Sequence, residues 1–378
     1  MSSTYKALTP YHNGLLECSG LNHPIKRNKI FSHLHKLHSR IVYLQETNLL
    51  NKDYSRLLRG GFTQCFHSDF NSKSRGVAIL IHRDVQYVET KTLKDKNGRY
   101  VITQGKLFNR SVILANVYAP NWDNANFFTS LFSLLPDLDS HDLILAGDRN
   151  CTLNPALDRS SPKVMIQSKS AQCINDFLEV YGVLDPWRLK HPTSKQFSFF
   201  SPVHQSYSRI DYFLIDQKLL PLVTHIDYDS IVISDHAPVI LKLTFPENVA
   251  SPFSWRLNSR LLSDQKFVEF INTQIDFFMD LNESPEISFS TLWETLKAYL
   301  RGQVISFVAG ENLKQTKRAS VITDRIKEID RLHSASPSDD LYKERILLQA
   351  EFDETFTCGP AKHTMNMVTG LANCCHIN

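Results

Sequence analysis

The sequence lacks the long apolar runs, the leader and the paired cysteines that mark several protein classes. No run approaches the roughly 18 apolar residues of a membrane-spanning helix, which excludes a transmembrane segment. The first residues, MSSTYKALTPYHNG, contain no apolar signal core, so we expect a protein that is not secreted. The seven cysteines are odd in number and scattered, without a CxxC pair. This pattern is typical of free thiols in a reducing compartment and argues against a disulfide framework or a zinc site.

The sequence also carries little net charge, because 42 Lys and Arg nearly cancel 39 Asp and Glu. The two parts of the chain differ, however. Residues 1–245 carry 28 basic and 21 acidic side chains, whereas residues 246–378 carry 14 basic and 18 acidic ones. A basic first part and an acidic second part indicate two modules, and the first is suited to meet a polyanion.

The first 245 residues alternate short apolar runs with amphipathic stretches, a pattern that predicts an α/β domain over 1–245. The predicted strands are 41–44, 76–81, 100–103, 111–118, 142–147, 211–215 and 238–243, and the predicted helices are 124–135 and 169–181. The stretch before them, TPYHNGLLE, is poorly apolar, so we expect a damaged first strand.

The remainder of the chain has a different composition. The stretch FPENVASPFS contains two prolines and small polar residues, which predicts a linker over 246–255. Helical spacing then predicts a helical connector over 256–356, with helices at 262–281, 290–309, 313–334 and 338–356. The final residues, 357–378, show no period and are predicted to form an unstructured tail.

Polar residues follow several apolar runs directly, where the predicted strands end. They are Glu46, Tyr118, Asp148, Asn150, Asp235 and His236. Strand ends of α/β sheets form the crevice in which sites are built, because side chains there are held rigidly yet face solvent. Each residue alone has a simpler explanation, such as a solvated strand edge, a turn or a half-buried phenol. Their joint occurrence after apolar runs favours a constructed polar site.

These residue types suit metal-assisted phosphodiester hydrolysis. Glu46 offers the carboxylate oxygen that Mg²⁺ prefers. Asp148 and Asn150, two apart at a strand end, supply a base and a hydrogen-bond donor. Asp211 and Asp235 both precede His236 in the sequence, and Asp235 is its immediate neighbour. A carboxylate bonded to an imidazole favours its protonated form, which then stabilises phosphate charge.

Ordered motifs in the chain resemble those of the endonuclease/exonuclease/phosphatase superfamily. These are QET (45–47), NVYAP (116–120), GDRN (147–150), SRIDYFLI (208–215) and SDHAPV (234–239). The surrounding text, including HSDFNSKSRGVAILIHRDV and FSFFSPVHQSYSRIDYFLI, resembles the endonuclease domain of LINE-type non-LTR retrotransposon polyproteins over residues 15–245. The resemblance implies a four-layer α/β sandwich with a helical C-terminal extension, as the front portion of a longer polyprotein.

The resemblance also implies a role for each matching residue. Glu46 would bind Mg²⁺, for which Mn²⁺ could substitute, and Asp235 would support the metal and His236. Asp148 would deprotonate or orient the attacking water. Tyr118 and Asn150 would contact the phosphate. His236 would stabilise the phosphate charge, and Asp211 would orient His236.

Two departures from the family pattern bear on activity. Glu17 stands where the family carries an Asn that contacts metal and phosphate. A second carboxylate would bind the metal more strongly but repel the phosphate. Arg149 stands where the family places an apolar residue. An unpaired Arg149 inside the sandwich would cost several kcal/mol, whereas one that reaches the groove would bind phosphate.

DNA is the expected partner, without a membrane or a small-molecule cofactor. The resemblance implies DNA contacts at Ser198 and Ser208, and the basic residues Lys26, Arg27 and Arg75 are candidates to clamp phosphates, with a solvated surface as the alternative. The short basic run KRNK resembles a nuclear-import signal, so we expect the protein in the nucleus, with the cytoplasm as the alternative.

The predicted function is Mg²⁺-dependent nicking of DNA to leave a 3′-hydroxyl. Two alternatives stay open. One is an exonuclease III-like or abasic-site repair nuclease with the same fold. The other is a catalytically dead nucleic-acid-binding remnant of a retrotransposon, which Glu17 and Arg149 would explain.

Overall fold

The computed structural model describes residues 10–161, 166–245, 257, 259–282, 284, 287–336 and 338–357. The described residues form two compact units. The first contains the chain up to residue 245 together with Asp324–Gln349, and the second contains the described parts of Pro252–Thr323 and of the chain after Ala350. Among these residues, no helix is both long and apolar enough to cross a membrane.

The first unit is built on two six-stranded sheets. The first sheet has the order β13-β14-β1-β2-β4-β3, and only its central β1–β2 pair is parallel. Its strands are β1 (Pro10–Glu17), β2 (Ser39–Gln45), β3 (Phe62–Ser68), β4 (Val77–His82), β13 (Val223–Tyr228) and β14 (Val239–Thr244). The expectation of a damaged first strand is wrong, because β1 pairs along its length with both β14 and β2.

The second sheet has the order β5-β6-β7-β8-β12-β9, and its β7–β8 pair is parallel. Its strands are β5 (Tyr87–Lys94), β6 (Tyr100–Leu107), β7 (Arg110–Tyr118), β8 (Asp142–Asp148), β9 (Val183–Leu184) and β12 (Asp211–Asp216). A separate hairpin joins β10 (Phe199–Ser201) to β11 (Ser206–Ser208).

Helices connect several of these strands along the chain. They are α1 (Pro24–Lys36), α2 (Ala125–Ser133), α3 (Pro155–Asp158), α4 (Lys169–Tyr181) and α5 (Pro186–Lys190), with short 3₁₀ turns at Asn51–Leu57 and Gln217–Leu222. Side chains cap α2 to α5; at α2, Asn124 accepts from the amide of Phe127, and at α4, Ser168 accepts from that of Ala171.

Strand alternation divides the apolar side chains between two cores. The core between the sheets contains Leu15, Tyr43, Ile79 and Leu241 from the first sheet and Val112, Leu114, Ile144 and Phe213 from the second. The alternate residues Ile113, Ala115 and Leu145 pack outward with Phe128 and Phe177 of α2 and α4. On the other side, α1 buries Ile30, Phe31 and Leu34 and contacts β2. This arrangement confirms the predicted four-layer α/β sandwich.

Long helices make up the C-terminal extension, as predicted: α6 (Gln265–Asn282), α7 (Phe289–Ala335) and α8 (Asp339–Thr357), after a 3₁₀ turn at Ser259–Ser263. In the second unit, Leu261 and Phe267 pack against Val304 and Val308 of α7.

The compact units do not follow the predicted boundary near residue 245, because the end of α7 and most of α8 pack in the first unit. There Tyr342 packs on a cluster of Phe200, Tyr207, Ile231 and Ala237. The periodicity of a helix does not indicate which core its apolar face joins. The predicted linker over 246–255 and the tail after residue 357 lie outside the described residues.

Candidate active site

The ends of five strands bring the predicted polar residues to one edge of the sandwich. In the second sheet, Tyr118, Asp148 and Asp211 lie in one row, since Asp148 is in register with Tyr118 on one side and Asp211 on the other. In the first sheet, Glu17 closes β1 in register with Gln45, the residue before Glu46. The predicted strand-end site is therefore present as a cluster.

A glycine allows Asp148 its position in this row. Gly147 adopts φ +133°, and a Cβ there would lie 1.9 Å from the carbonyl oxygen of Val117. Only glycine permits this close approach of β8 to β7. The G-D pair of the GDRN motif thus has a backbone reason as well as a chemical one.

Tyr118 and Glu46 connect the two sheets across the site. The Tyr118 hydroxyl donates a hydrogen bond to Oε1 of Glu46, whose backbone lies in the left-handed region at φ +47°. Burial and this carboxylate acceptor raise the pKa of Tyr118 far above its ordinary value. Tyr118 is therefore a neutral hydrogen-bond donor at physiological pH.

His236 is held between two carboxylates. Its Nδ1 lies 2.8 Å from Oδ2 of Asp211, and its Nε2 lies 3.2 Å from Oε2 of Glu17. The ring is 4% exposed. Burial disfavours the protonated ring, but Asp211 and Glu17 outweigh it and raise the pKa of His236 well above its ordinary value. The two carboxylates therefore favour the protonated form of His236.

Asp148 is 1% exposed, and its Oδ1 accepts the backbone amide of Asn150 at 2.8 Å. The Asn150 side chain donates in turn to the carbonyl of Ala119 at 3.0 Å. Burial and the neighbouring charge of Asp211 raise the pKa of Asp148 to about 7. A carboxyl with a pKa near neutrality is suited to exchange protons with water.

Glu17 is buried at the centre of the cluster. Its Oε1 accepts from the amide of Ser19 at 2.8 Å, and the Ser19 hydroxyl also donates to Oδ1 of Asp235 at 3.0 Å. One ligand atom each from Glu17, Asp148 and His236 lie within 4.8 Å of one another. Burial raises the pKa of Glu17 well above its ordinary value despite His236, and further carboxylates add to this. So dense an acidic set fits a hard divalent cation.

A family model described as "Endonuclease/Exonuclease/phosphatase family" matches residues 20–236. The chain belongs to the endonuclease/exonuclease/phosphatase family. Members of this family are nucleases and phosphodiester hydrolases, typically dependent on a divalent metal.

This family member is similar to a "Transposon TX1 uncharacterized 149 kDa protein" of Xenopus laevis, at 27% identity over 264 residues. The match covers 68% of this chain and 20% of the relative, so the chain spans about a fifth of the relative's length.

Solved structures show the same fold. The AP endonuclease LMAP of Leishmania major matches with a TM-score of 0.54 and 17% identity, over 63% of this chain and 88% of that one. The APE2 catalytic domain of Xenopus laevis matches with a TM-score of 0.53 and 20% identity, over 64% of this chain and 95% of that one. The 3′ phosphatase NExo of Neisseria, bound to a product DNA hairpin, matches with a TM-score of 0.53 and 20% identity, over 62% of this chain and 100% of that one.

Arg149 of this endonuclease/exonuclease/phosphatase family chain lies inside the protein, 1% exposed, and does not reach the groove. Its charge is not unpaired, since its Nη atoms donate to the carbonyls of Gly147 and Leu145 at 2.8 and 3.0 Å. Burial lowers the pKa of Arg149 to about 10. Of the two alternatives for Arg149, burial is observed, with backbone carbonyls as partners.

Ser198 supports the site from behind. It is fully buried, and its hydroxyl accepts the amides of Ile210 and Asp211 at 2.9 and 3.1 Å. It therefore positions Asp211. Ser208 lies half-buried in β11, opposite Phe199.

The predicted basic contacts differ in their accessibility. Lys26 is half-buried and donates to the carbonyl of Ser19 at 2.9 Å, so it lies beside the site. Arg27 is 9% exposed and bonded to the carbonyls of Leu21 and Asn22. Arg75 is half-buried, with its guanidinium 4.4 Å from the centroid of the Phe70 ring.

Sequence reasoning missed Asn116, which is buried directly below the site. Its amide nitrogen donates to the carbonyls of Leu44 and Ala78 at 2.9 and 2.8 Å, and its oxygen accepts from Gln45. These bonds join the two sheets through one side chain. An Asn inside an otherwise apolar run was the available signal, because a buried amide requires partners.

Proposed function

We propose that this chain is a Mg²⁺-dependent endonuclease that nicks DNA and leaves a 3′-hydroxyl, as the nuclease part of a LINE-type retrotransposon protein. The observation that carries the proposal is the row of Tyr118, Asp148 and Asp211, with His236 held against it by Asp211. The similarity to a transposon protein and to DNA-processing folds supports the substrate class.

The chain's own residues would divide the reaction as follows. Asp148 takes a proton from the attacking water, whose oxygen bonds to phosphorus as the P–O3′ bond breaks. The O3′ atom accepts a proton from the solvent and leaves as the 3′-hydroxyl. Protonated His236 would donate a hydrogen bond to the phosphate oxygens, where negative charge grows, and so would the Tyr118 hydroxyl once it turns from Glu46 to the phosphate. Asn150 keeps Asp148 oriented through its backbone amide.

Glu46, Glu17 and Asp235 are the residues that would hold the metal. A bound Mg²⁺ supplies Lewis-acid stabilisation of the phosphate charge. Glu17 occupies Nε2 of His236, the nitrogen that must face the phosphate. Glu17 must therefore leave this nitrogen when DNA binds, and the metal site offers its carboxylate an alternative partner.

The Glu17–His236 contact also favours a second candidate, an inactive DNA-binding remnant. If Glu17 stays on Nε2, His236 has no free donor for phosphate, and the groove binds DNA without cutting it. The two candidates differ in one measurable property, the release of a nicked product.

Nicking of supercoiled plasmid with Mg²⁺ or Mn²⁺, against an EDTA control, tests the proposal. Asp148→Asn should lower the rate about 10²- to 10⁴-fold, the usual contribution of a general base. Asp142→Asn is the matched control, because Asp142 lies at the opposite end of β8, paired with Arg110 at 2.7 Å. It should stay within about threefold of wild type, a shift small against that general-base contribution.

A wild-type chain that binds DNA but nicks nothing with either metal would establish the inactive remnant. Equal nicking by Asp148→Asn and wild type would refute the catalytic assignment. Much faster cutting of an abasic duplex than of the intact duplex would instead establish a repair-type substrate.

A further inference from the structure

A hollow of about 430 Å³ opens beside Arg99 and Trp122. Its lining includes two guanidinium groups, three carboxamides and an indole, from Arg75, Arg99, Asn97, Asn124, Asn126 and Trp122. We refer to it as the Trp122 hollow. Apart from Arg75, none of these residues has a role in the nuclease reaction described above.

Arg99 ties the Trp122 hollow to the catalytic row. Its guanidinium lies 5.3 Å from the ring centroid of Tyr118 and 5.7 Å from that of Trp122. It donates to the carbonyl of Ala119 at 2.9 Å, and its own amide is held by Asp95 at 2.8 Å. Arg99 is 9% exposed, so its side chain is buried between the hollow and the catalytic row.

The electrostatics of the hollow favour an anion. Arg75 and Arg99 both line the hollow, and burial together with the charge of Arg75 lowers the pKa of Arg99. Asp95 is the one acidic residue among those that line the hollow, and it binds the backbone amide of Arg99. A phosphate between the two guanidiniums would relieve their repulsion.

One aromatic ring of the hollow is largely exposed. Trp122 is 58% exposed, whereas Tyr100 and Phe127, which also line the hollow, are half-buried. Nucleobases stack on such rings regardless of sequence, and carboxamides bond to their edges. Indole, amides and guanidiniums around one hollow match the three parts of a nucleotide: base face, base edge and phosphate.

We propose that the Trp122 hollow binds one unstacked nucleotide of the DNA strand, with its base on Trp122 and its phosphate on Arg75. This inference rests on the proposed nuclease function in one respect: that function is the reason to expect the bound nucleotide to belong to a DNA strand. Because unstacking a paired base costs a few kcal/mol, the site selects DNA that is single-stranded or frayed beside the cut. The substrate class is thereby narrowed from any duplex to a locally opened one.

Binding without cleavage tests the site. In EDTA, fluorescence anisotropy gives the Kd of a labelled single-stranded oligonucleotide and of the blunt duplex of the same sequence. Trp122→Ala should weaken single-strand binding about 5- to 100-fold, the usual loss for one stacking ring, and change duplex binding less. Trp122→Phe should restore most of the affinity, because phenylalanine keeps a stacking face.

Trp293 is the matched control. It is 51% exposed and has a cation beside its ring, the Lys297 Nζ at 5.8 Å, but it lies on α7 in the second unit. Trp293→Ala should leave both Kd values unchanged. Wild-type single-strand binding by Trp122→Ala overturns the proposal, and so does an equal loss from Trp293→Ala. A chain that binds through Trp122 yet never nicks refutes the nuclease but keeps the nucleotide site.

Discussion

The guanidinium of Arg345, on α8, donates to the carbonyl oxygen of Ile231 at 2.8 Å, in the loop that leads to His236. The same side chain binds Asp330 of α7 at 2.7 Å, and Asp330 accepts the hydroxyl of Tyr207 at 3.1 Å. The end of the helical connector is therefore bonded to both the β10–β11 hairpin and the loop that carries His236.

The hairpin passes this support on to the site itself. The carbonyl oxygen of Ser198 accepts a hydrogen bond from the amide of Ala237 at 2.6 Å. The amide of Phe200 donates to the backbone carbonyl oxygen of Asp235 at 3.2 Å. The ring of Phe199 lies 4.7 Å from that of His236. A loosened hairpin would thus displace His236 from the phosphate position.

We predict that Arg345→Met lowers kcat for nicking about 10- to 100-fold with little change in KM, because small misplacements of catalytic groups cost this much. Steady-state nicking at several DNA concentrations measures the two constants. Hydrogen exchange over residues 197–209 and 230–237 should rise in parallel. Arg325→Met is the control, since Arg325 joins α7 to α8 through an exposed pair with Glu344. Equal effects of both changes would show that general helix stability, rather than the hairpin, is responsible.

Glu17→Asn should raise nicking activity about tenfold, chiefly through a lower KM, because it frees Nε2 of His236 and removes one charge that repels phosphate. Initial rates over a range of DNA concentrations measure the gain. Glu89→Gln, an exposed change on β5, serves as the control and should leave both constants unaltered. A large loss of activity in Glu17→Asn would show instead that the carboxylate is needed for the metal.

Arg149→Met should raise the free energy of unfolding by roughly 1–2 kcal/mol, because replacing a buried charge with an apolar side chain removes its desolvation cost. The lowered pKa of Arg149 is the sign of that cost. Urea denaturation followed by fluorescence measures the change. Arg149→Lys keeps the charge but loses the two-pronged contact with Gly147 and Leu145, and should destabilise the fold. Destabilisation by both changes would mean that the carbonyl contacts outweigh desolvation.

His82, at the end of β4, should make the fold sensitive to mild acid. Burial and the neighbouring Arg40 lower its pKa to about 4. Between pH 6.5 and 4 the unfolded chain therefore binds the proton that the folded chain rejects, and stability falls as pH falls, by up to about 3 kcal/mol. His82→Gln should flatten this part of the curve in thermal melts. The exposed His225→Gln should leave it unchanged, and a curve unaltered by His82→Gln would exclude this origin.

Strand and helix positions were largely predictable because their patterns are local. The predicted 169–181 helix is α4, and the run 111–118 lies within β7. The connector shows the limit of local patterns. The predicted helices 290–309 and 313–334 form one helix, α7, which continues through Gly310. An isolated glycine costs a helix only about 1 kcal/mol, too little to end it.

The strand-end cluster was predictable from residue type and order, but its internal contacts were not. The bond from Glu17 to His236 joins opposite ends of the domain in the sequence, and no spacing encodes it. The burial of Arg149 depended on which way one side chain turns at the end of β8. Arg99 and Trp122 gave no motif at all, since their relationship exists only once β6 and the loop after β7 are folded.

The bond between Arg345 and Ile231 spans 114 residues of chain. At ribosomal rates of about 5–20 residues per second, Arg345 is made roughly 6–23 s after Ile231. Both sheets are complete by then, since β14 ends at Thr244. The loop that carries His236 can thus receive the hydrogen bond from Arg345 only after both sheets and most of the connector have been synthesised.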